Sequence, residues 1–216
     1  MFWTKLGAIG CFFLASATSA AAHPHVFADT EIGFRFDETG AVTSLQIKWS
    51  YDEFTTLTLY DILGLDPDGD GELDGSDFAK IADGETNWPP GYKGDLHLSR
   101  LSPSSELTEP KNALAGIDED RVWVAFDLPL SRPVQPKAKD IEIRVFDPVY
   151  YYAYTIMEPV ALIGAPDGCN VAVSRFDENR ANAELRQQLA TLSREETPSD
   201  PNIGSLFAET VTLTCS

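Results

Sequence analysis

A chain of 216 residues with 34 Asp and Glu against 16 Lys and Arg carries a formal charge of −18 at pH 7. So negative a surface repels nucleic-acid phosphates and anionic lipid headgroups, argues against both as partners, and suits cations. The length is that of one domain, or of one domain with an insertion, and is enough to bury a core of its own.

Residues 1–22 read as a signal peptide. Lys5 gives the positive start, "LGAIGCFFLASA" (6–17) an apolar run too short to span a bilayer, and Ala20 and Ala22 the small residues before a cleavage site. Cleavage after Ala22 is expected to leave a single periplasmic domain, residues 23–216, beginning at His23. Losing Lys5, the one charged residue of the leader, takes the charge from −18 to −19. No later stretch is long and apolar enough to cross a bilayer, so no membrane insertion of the mature chain is expected. Cys11 leaves with the leader, and Cys169 and Cys215 remain as an even pair in a compartment that permits disulfides. They are expected to bridge the last strand to an earlier one.

In chain order, "VFADTEIGFRF" (26–36) and "AVTSLQIKWSY" (41–51) alternate in polarity and flank the turn "DETG", which predicts a β-hairpin. "DEFTTLTLYDILGL" (52–65) then changes period, with Phe54, Leu57, Tyr60 or Asp61, and Leu65 at helical spacing and Asp52 as the N-cap. After an acidic loop, "SDFAKIADGE" (76–85) predicts a short helix ended by Gly84. Residues 86–116 read as loops with one strand near 94–101. "RVWVAFDLPL" (121–130) and "DIEIRVFDPVYYYAYTIME" (140–158) read as strands, with "RPVQPK" between them as a turn that cannot join a sheet interior. "CNVAVSRF" (169–176) is a further strand, "DENRANAELRQQLATLSR" (177–194) the strongest helix, and "SLFAETVTLTC" (205–215) the closing strand. The expected fold is α+β: a β-rich domain of sandwich-like antiparallel sheets, with a helix–loop–helix inserted at 52–85 and one helix in the C-terminal half.

The acidic loop "DPDGDGELDGSD" (66–77) places six carboxylates in twelve positions. Asp66, Asp68 and Asp70 fall at positions 1, 3 and 5, Gly71 at 6, Glu72 at 7 with its backbone carbonyl, Asp74 at 9 and Asp77 at 12. Leu73 at position 8 can anchor the loop to the core. The spacing resembles an EF-hand, or a dockerin-like calcium loop, in which hard oxygen donors wrap a Ca²⁺ ion and cancel the repulsion among the carboxylates. Asp77 departs from the usual Glu and is one methylene shorter, which weakens bidentate binding and the preference for Ca²⁺ over Mg²⁺. A single loop of this kind is expected to bind Ca²⁺ with Kd on the order of 10⁻⁴ to 10⁻³ M. Its expected role is structural, because a sensor needs paired hands and a Met-rich surface, and this chain has two methionines, one of them Met1.

If His23 is the mature first residue, its α-amine and ring can chelate one ion together, with His25 as a further nitrogen. Such donors favour Ni²⁺, Co²⁺, Zn²⁺ or Cu²⁺. Pro24 has no amide hydrogen, which blocks the square-planar four-nitrogen arrangement. The competing reading is a solvated, frayed end. An N-terminal histidine also suggests a copper enzyme, for which His97 is the one candidate opposing ligand beyond His25. In "YYYAY", Tyr150, Tyr152 and Tyr154 are expected to share a strand face, as core with a half-buried rim rather than a sugar-stacking strip. The sequence offers no phosphate-binding glycine loop, no GxSxG elbow and no paired carboxylates of glycosidase type, and so no catalytic residues.

Taken in order, "AHPHVFAD", "IKWSYDEF", the acidic loop, "FDPVYYYAY" and "LFAETVTLTC" resemble a family of uncharacterised bacterial periplasmic proteins. That family is a domain of unknown function labelled as the periplasmic component of an ABC-type transport system. The resemblance implies an accessory role beside nickel/cobalt-type membrane transporters, with His23 and His25 as contact points for the metal. The expectation is therefore an exported, non-enzymatic Ca²⁺-binding protein that assists transport of a divalent transition metal, with a membrane metal transporter as partner. The alternative is a calcium-stabilised protein-interaction module with no transition-metal role.

Overall fold

The computed structural model describes residues 23–99, 105–136, 141–176, 189, 192, 196 and 198–216. The leader and almost all of the expected helix at 177–194 lie outside them. Two sheets face one another. The larger has the strand order β4-β5-β2-β1-β7, built from β1 (Val26–Phe36), β2 (Val42–Tyr51), β4 (Lys111–Asp118), β5 (Arg121–Val134) and β7 (Tyr152–Ile163). The smaller has the order β3-β6-β9-β8, from β3 (Leu96–Ser99), β6 (Ile141–Val145), β8 (Cys169–Ser174) and β9 (Glu209–Cys215). The expected hairpin is β1–β2, paired antiparallel from Ala28↔Tyr51 to Phe36↔Val42.

Alternation sorts the side chains. Ile32, Phe34, Leu45, Ile47, Val122, Val124, Phe126 and Leu128 of the large sheet and Ile141, Ile143, Val211 and Leu213 of the small one are buried in a common core. Polar residues on the large sheet, such as Glu31, Gln46, Lys48 and Asp127, take the opposite face. Glu209, buried on β9, accepts from the Ile156 amide of β7 at 2.7 Å and pairs with Arg175 at 2.9 Å, tying the sheets together at one edge.

The inserted helices are α1 (Glu53–Leu63) and α2 (Gly75–Thr86). Asp52 caps α1, its carboxylate accepting from the Thr55 amide at 2.6 Å, and Gly64 ends it in the left-handed region (φ 55°). Gly84 does not end α2, which runs to Thr86; the Thr86 hydroxyl donates to the Ala82 carbonyl at 2.6 Å.

Four other expectations are corrected. Residues 111–118 form β4, an exposed edge strand whose small and polar residues hide its alternation. β5 runs through Pro133 to Val134, where a register shift between Val42 and Ser44 accommodates the irregular pairing. The stretch 140–158 is two strands in different sheets, β6 and β7, broken by the turn at Asp147–Tyr151. β7 then pairs in parallel with β1, so the large sheet is mixed and not wholly antiparallel.

The expected disulfide is present: Cys169 and Cys215 are bonded and stand opposite each other in the β8–β9 ladder.

Candidate functional site

The acidic loop is held at both ends by apolar anchors. Leu65 and Ile81 are buried, and Leu73, at the position read as an anchor, packs against the core. Within the loop the backbone folds onto Asp66, whose two oxygens accept from the Asp70 and Gly71 amides at 3.0 and 3.1 Å. Asp70 in turn accepts from the Glu72 amide at 2.8 Å. Gly69 and Gly71 take positive φ (71° and 84°), the turns that let three side chains converge. Asp66, Asp68 and Asp70 each present an oxygen within 4.8 Å of the others, the one such trio of His, Cys, Asp or Glu donors among the described residues. Three hard oxygens at that separation fit a Ca²⁺ or Mg²⁺ ion in chemistry.

The second half of the loop departs from the expected ligand set. Asp74 is the N-cap of α2, accepting from the Ser76 and Asp77 amides at 2.7 and 3.1 Å; the Ser76 side chain foremost, and then these two amides, hold its carboxyl below the usual range. Asp77 closes the capping box, accepting from the Asp74 amide at 3.3 Å, and is buried at 2% exposure. Its other oxygen accepts from the Lys80 ammonium at 3.1 Å, and that ammonium also donates to the Gly64 carbonyl at 3.0 Å. In this arrangement Asp77 serves the helix cap and Lys80, not the trio. Glu72 is exposed, as its expected backbone role allows.

The two histidines pack against the fold. His23 is buried, and its ring lies 4.9 Å from that of His25, centroid to centroid. Tyr151 closes over both, at 6.2 Å from His23 and 4.9 Å from His25. The Tyr151 carbonyl accepts from the His25 and Val26 amides at 2.8 and 3.2 Å, which docks the segment. A residue the sequence reading missed sets up this dock. Asp147 is buried and gathers the turn, its carboxylate accepting from the Val149, Tyr151 and Tyr152 amides at 3.1, 2.7 and 3.1 Å. The signal was present in "FDP", since Asp-Pro favours turn initiation. His97 is engaged differently. Its ring stacks on Phe146 at 3.7 Å, its Nε2 lies 3.0 Å from the Phe146 carbonyl, and burial pulls its pKa down.

The histidine segment meets the start of α1. The amide of Asp52, the N-cap of α1, donates at 3.1 Å to the carbonyl of Phe27, two residues beyond His25.

Behind the histidines lies a cluster of tyrosines and carboxylates. Tyr152 and Tyr154 stack (5.9 Å, 10°), while Tyr150, in the left-handed region at φ 60°, leaves their face and stacks on Phe207 at 4.0 Å. Tyr154 donates to Asp95 at 2.8 Å, and Tyr51 makes a short bond to Glu85. Burial pushes the Asp95 carboxyl from 3.8 up to about 6, with Asp147 adding to the rise and the tyrosine hydroxyls opposing it. Burial likewise raises Glu85, and lifts Tyr152 to about 12.

The raised Asp95 pKa predicts a pH dependence. The folded state holds the proton more tightly than the unfolded chain does, so stability from Asp95 is full below about pH 4 and falls as pH rises toward 6. Above that the cost stays constant, at roughly 3 kcal/mol. Asp95→Asn removes the charge and tolerates the residue's positive φ (56°). It is expected to raise the melting temperature by roughly 8 °C at pH 7.5 and leave it unchanged near pH 4, read by calorimetric scans at both pH values.

These features define a two-sheet β domain with an inserted helix–loop–helix that carries a converging carboxylate trio, and with two docked histidines just before β1. The chain belongs to the family described as "Protein of unknown function (DUF1007)", which residues 8–215 match. A Haemophilus influenzae protein described as "Uncharacterized protein" is 22% identical over 195 residues, spanning 90% of this chain and 91% of its own. Among solved structures, acetylcholine-binding protein type 1 of Biomphalaria glabrata superposes with a TM-score of 0.38 at 11% identity, over 96% of this chain and 92% of that one.

Proposed function

We propose that this is an exported, non-enzymatic divalent-cation protein that takes Ca²⁺ in the loop at 66–77 and assists the transport of a transition metal. The observation that carries the reading is the convergence of Asp66, Asp68 and Asp70 within 4.8 Å on a loop anchored to the core. Calcium there would be structural. It would offset the mutual repulsion of the trio and hold α1 and α2 in place, with the weak affinity of an extracellular module. No helix among the described residues is long and apolar enough to cross a membrane. With the disulfide, this is compatible with export.

For the transition metal, the support is the packed pair of imidazoles, soft enough for Ni²⁺, Co²⁺, Zn²⁺ or Cu²⁺. Cleavage after Ala22 would add the His23 α-amine to that set. A membrane metal transporter as partner rests on the resemblance of the sequence to periplasmic transport components. Calorimetry on the processed protein tests it. One of these four ions is expected to bind with a stoichiometry near one, and His23→Ala to weaken it at least tenfold, the loss of one ligand being worth more than about 1.4 kcal/mol. Titrations that are flat for all four ions would remove the transition-metal role.

A second reading has its own observation. On α1, Phe54, Leu57 and Ile62 are 82%, 66% and 71% exposed, beside the acidic loop. An apolar helix face of this kind favours a docked protein partner. If calcium alone binds, the calcium-stabilised interaction module is the reading that stands.

A further inference from the structure

The solvent face of the large sheet carries a trough of about 360 Å³ that neither cation site uses. Its volume lies within the range of ligand clefts, about 300–1,000 Å³. The strand registers lay out its floor. One cross-strand row runs Ala125–Lys48–Glu31, and the next Asp127–Gln46–Gly33–Ala161. Gly33, Ala125 and Ala161 keep the floor low; a Cβ on Gly33 would already meet Ile163, Ala161 and Gln46 at 3.3–3.4 Å. Irregular pairing in both edge strands flanks the floor: β4 shifts register between Lys111 and Leu114, and β7 between the partners of Glu31 and Gly33. Such bulges re-aim side chains, and Asn112 and Pro159 border the trough at these two places.

The polar groups in the trough are fixed in advance. The Asp127 carboxylate accepts from the Gln46 amide at 3.1 Å through one oxygen and from the Asn112 amide at 2.8 Å through the other. Each of those amides keeps a carbonyl oxygen and a second N–H outside this bond. Lys48 pairs with Glu31 at 3.1 Å and lies 5.4 Å from the centre of the Trp123 ring. Leu114, 65% exposed, and Pro159 add apolar rims.

We propose that this trough binds a neutral saccharide. The chemistry selects against other classes. An anion would meet Asp127 and Glu31. A cation would meet the Lys48 ammonium, which already pairs with Glu31. An apolar ligand would bury the Gln46–Asp127–Asn112 array without partners. An extended peptide pairs with a sheet edge, and this is a sheet face. A ring of hydroxyls matches alternating fixed donors and acceptors over a floor of small residues, and its C–H face matches Leu114 and Pro159.

Amide NMR titration of the intact protein with triacetylchitotriose, maltotriose and mannotriose tests this. At least one sugar is expected to shift the Gln46, Lys48, Ala125 and Asp127 amides, with Kd of about 0.1–10 mM. Asp127→Ala, which releases both amides, is expected to weaken binding at least about tenfold. Ala125→Leu fills the floor at a partly exposed position on the solvent face, so it separates loss of the site from loss of the fold. It is expected to abolish the shifts while leaving the rest of the spectrum in place. Asp66→Ala is expected to leave sugar binding unchanged. The proposal is overturned if none of the three sugars moves these amides, if the shifts survive Ala125→Leu, or if the same amides instead report a concentration-dependent dimer through this face.

Discussion

Removing the disulfide, as Cys169→Ala/Cys215→Ala, is expected to destabilise the protein by roughly 3–4 kcal/mol and lower its melting temperature by roughly 10 °C. The bond closes a sequence separation of 46 residues. In the chain-entropy view a loop of that length constrains the unfolded state strongly, by about 4 kcal/mol. The folded side adds a local reason. Among the described strands β8 is an edge strand, hydrogen-bonded only to β9, and Cys169 opposite Cys215 pins the end of that ladder. Thermal scans with and without reductant decide it. Reductant should bring the wild type down to the variant's melting temperature and leave the variant unmoved. A wild type indifferent to complete reduction would show that the bond contributes nothing to the fold.

Gly204→Ala is expected to be as costly, at roughly 3–5 kcal/mol, from a change of one methyl group. Gly204 lies in the 3₁₀ turn Ile203–Leu206, and its amide donates to the Pro148 carbonyl at 2.9 Å. A Cβ built there would overlap the Asp147 carbonyl oxygen and lie 2.9 Å from its carbon and 3.2 Å from the Tyr150 nitrogen. These are backbone atoms, so no rotamer change relieves the clash. The turn that must move carries the Tyr151 carbonyl to which His25 and Val26 are bonded. The variant should therefore lose order at the histidine pair as well as stability, seen as changed His23 and His25 ring resonances with a fall in melting temperature of 10 °C or more. Gly69→Ala is the control. Nothing lies within 4 Å of its Cβ, and only the cost of its positive φ, about 1 kcal/mol, is expected. A Gly204→Ala protein as stable as wild type would mean the close approach at Asp147 is absent in solution.

The parts legible in the sequence were those whose signals are local. The β1–β2 hairpin has alternation and a turn within 26 residues, and the helix–loop–helix has Asp52 as the cap of α1 and an aspartate repeat before α2. The disulfide needed only a count of cysteines. The rest depends on contacts that sequence order does not display. β4 hides because Gly116 is small for the sake of Trp123, whose ring occupies the space a side chain would need. The break between β6 and β7 is imposed by the Asp147 turn, and the parallel pairing of β7 with β1 joins segments more than a hundred residues apart. The same holds at the candidate site. Asp66, Asp68 and Asp70 follow from their spacing, whereas the diversion of Asp77 depends on Lys80 one turn along α2 and on the Gly64 carbonyl it also binds. Tyr151 and Asp147, which dock the histidines, are over a hundred residues away from them.

The most direct test is a Ca²⁺ titration of the processed protein followed by thermal unfolding, run in parallel on Asp66→Ala. The wild type is expected to gain about 1.5–3 kcal/mol at 10 mM Ca²⁺, given Kd on the order of 10⁻⁴ to 10⁻³ M, and Asp66→Ala to gain nothing. Identical melting temperatures for the wild type in calcium and in chelator would contradict a cation at the aspartate trio.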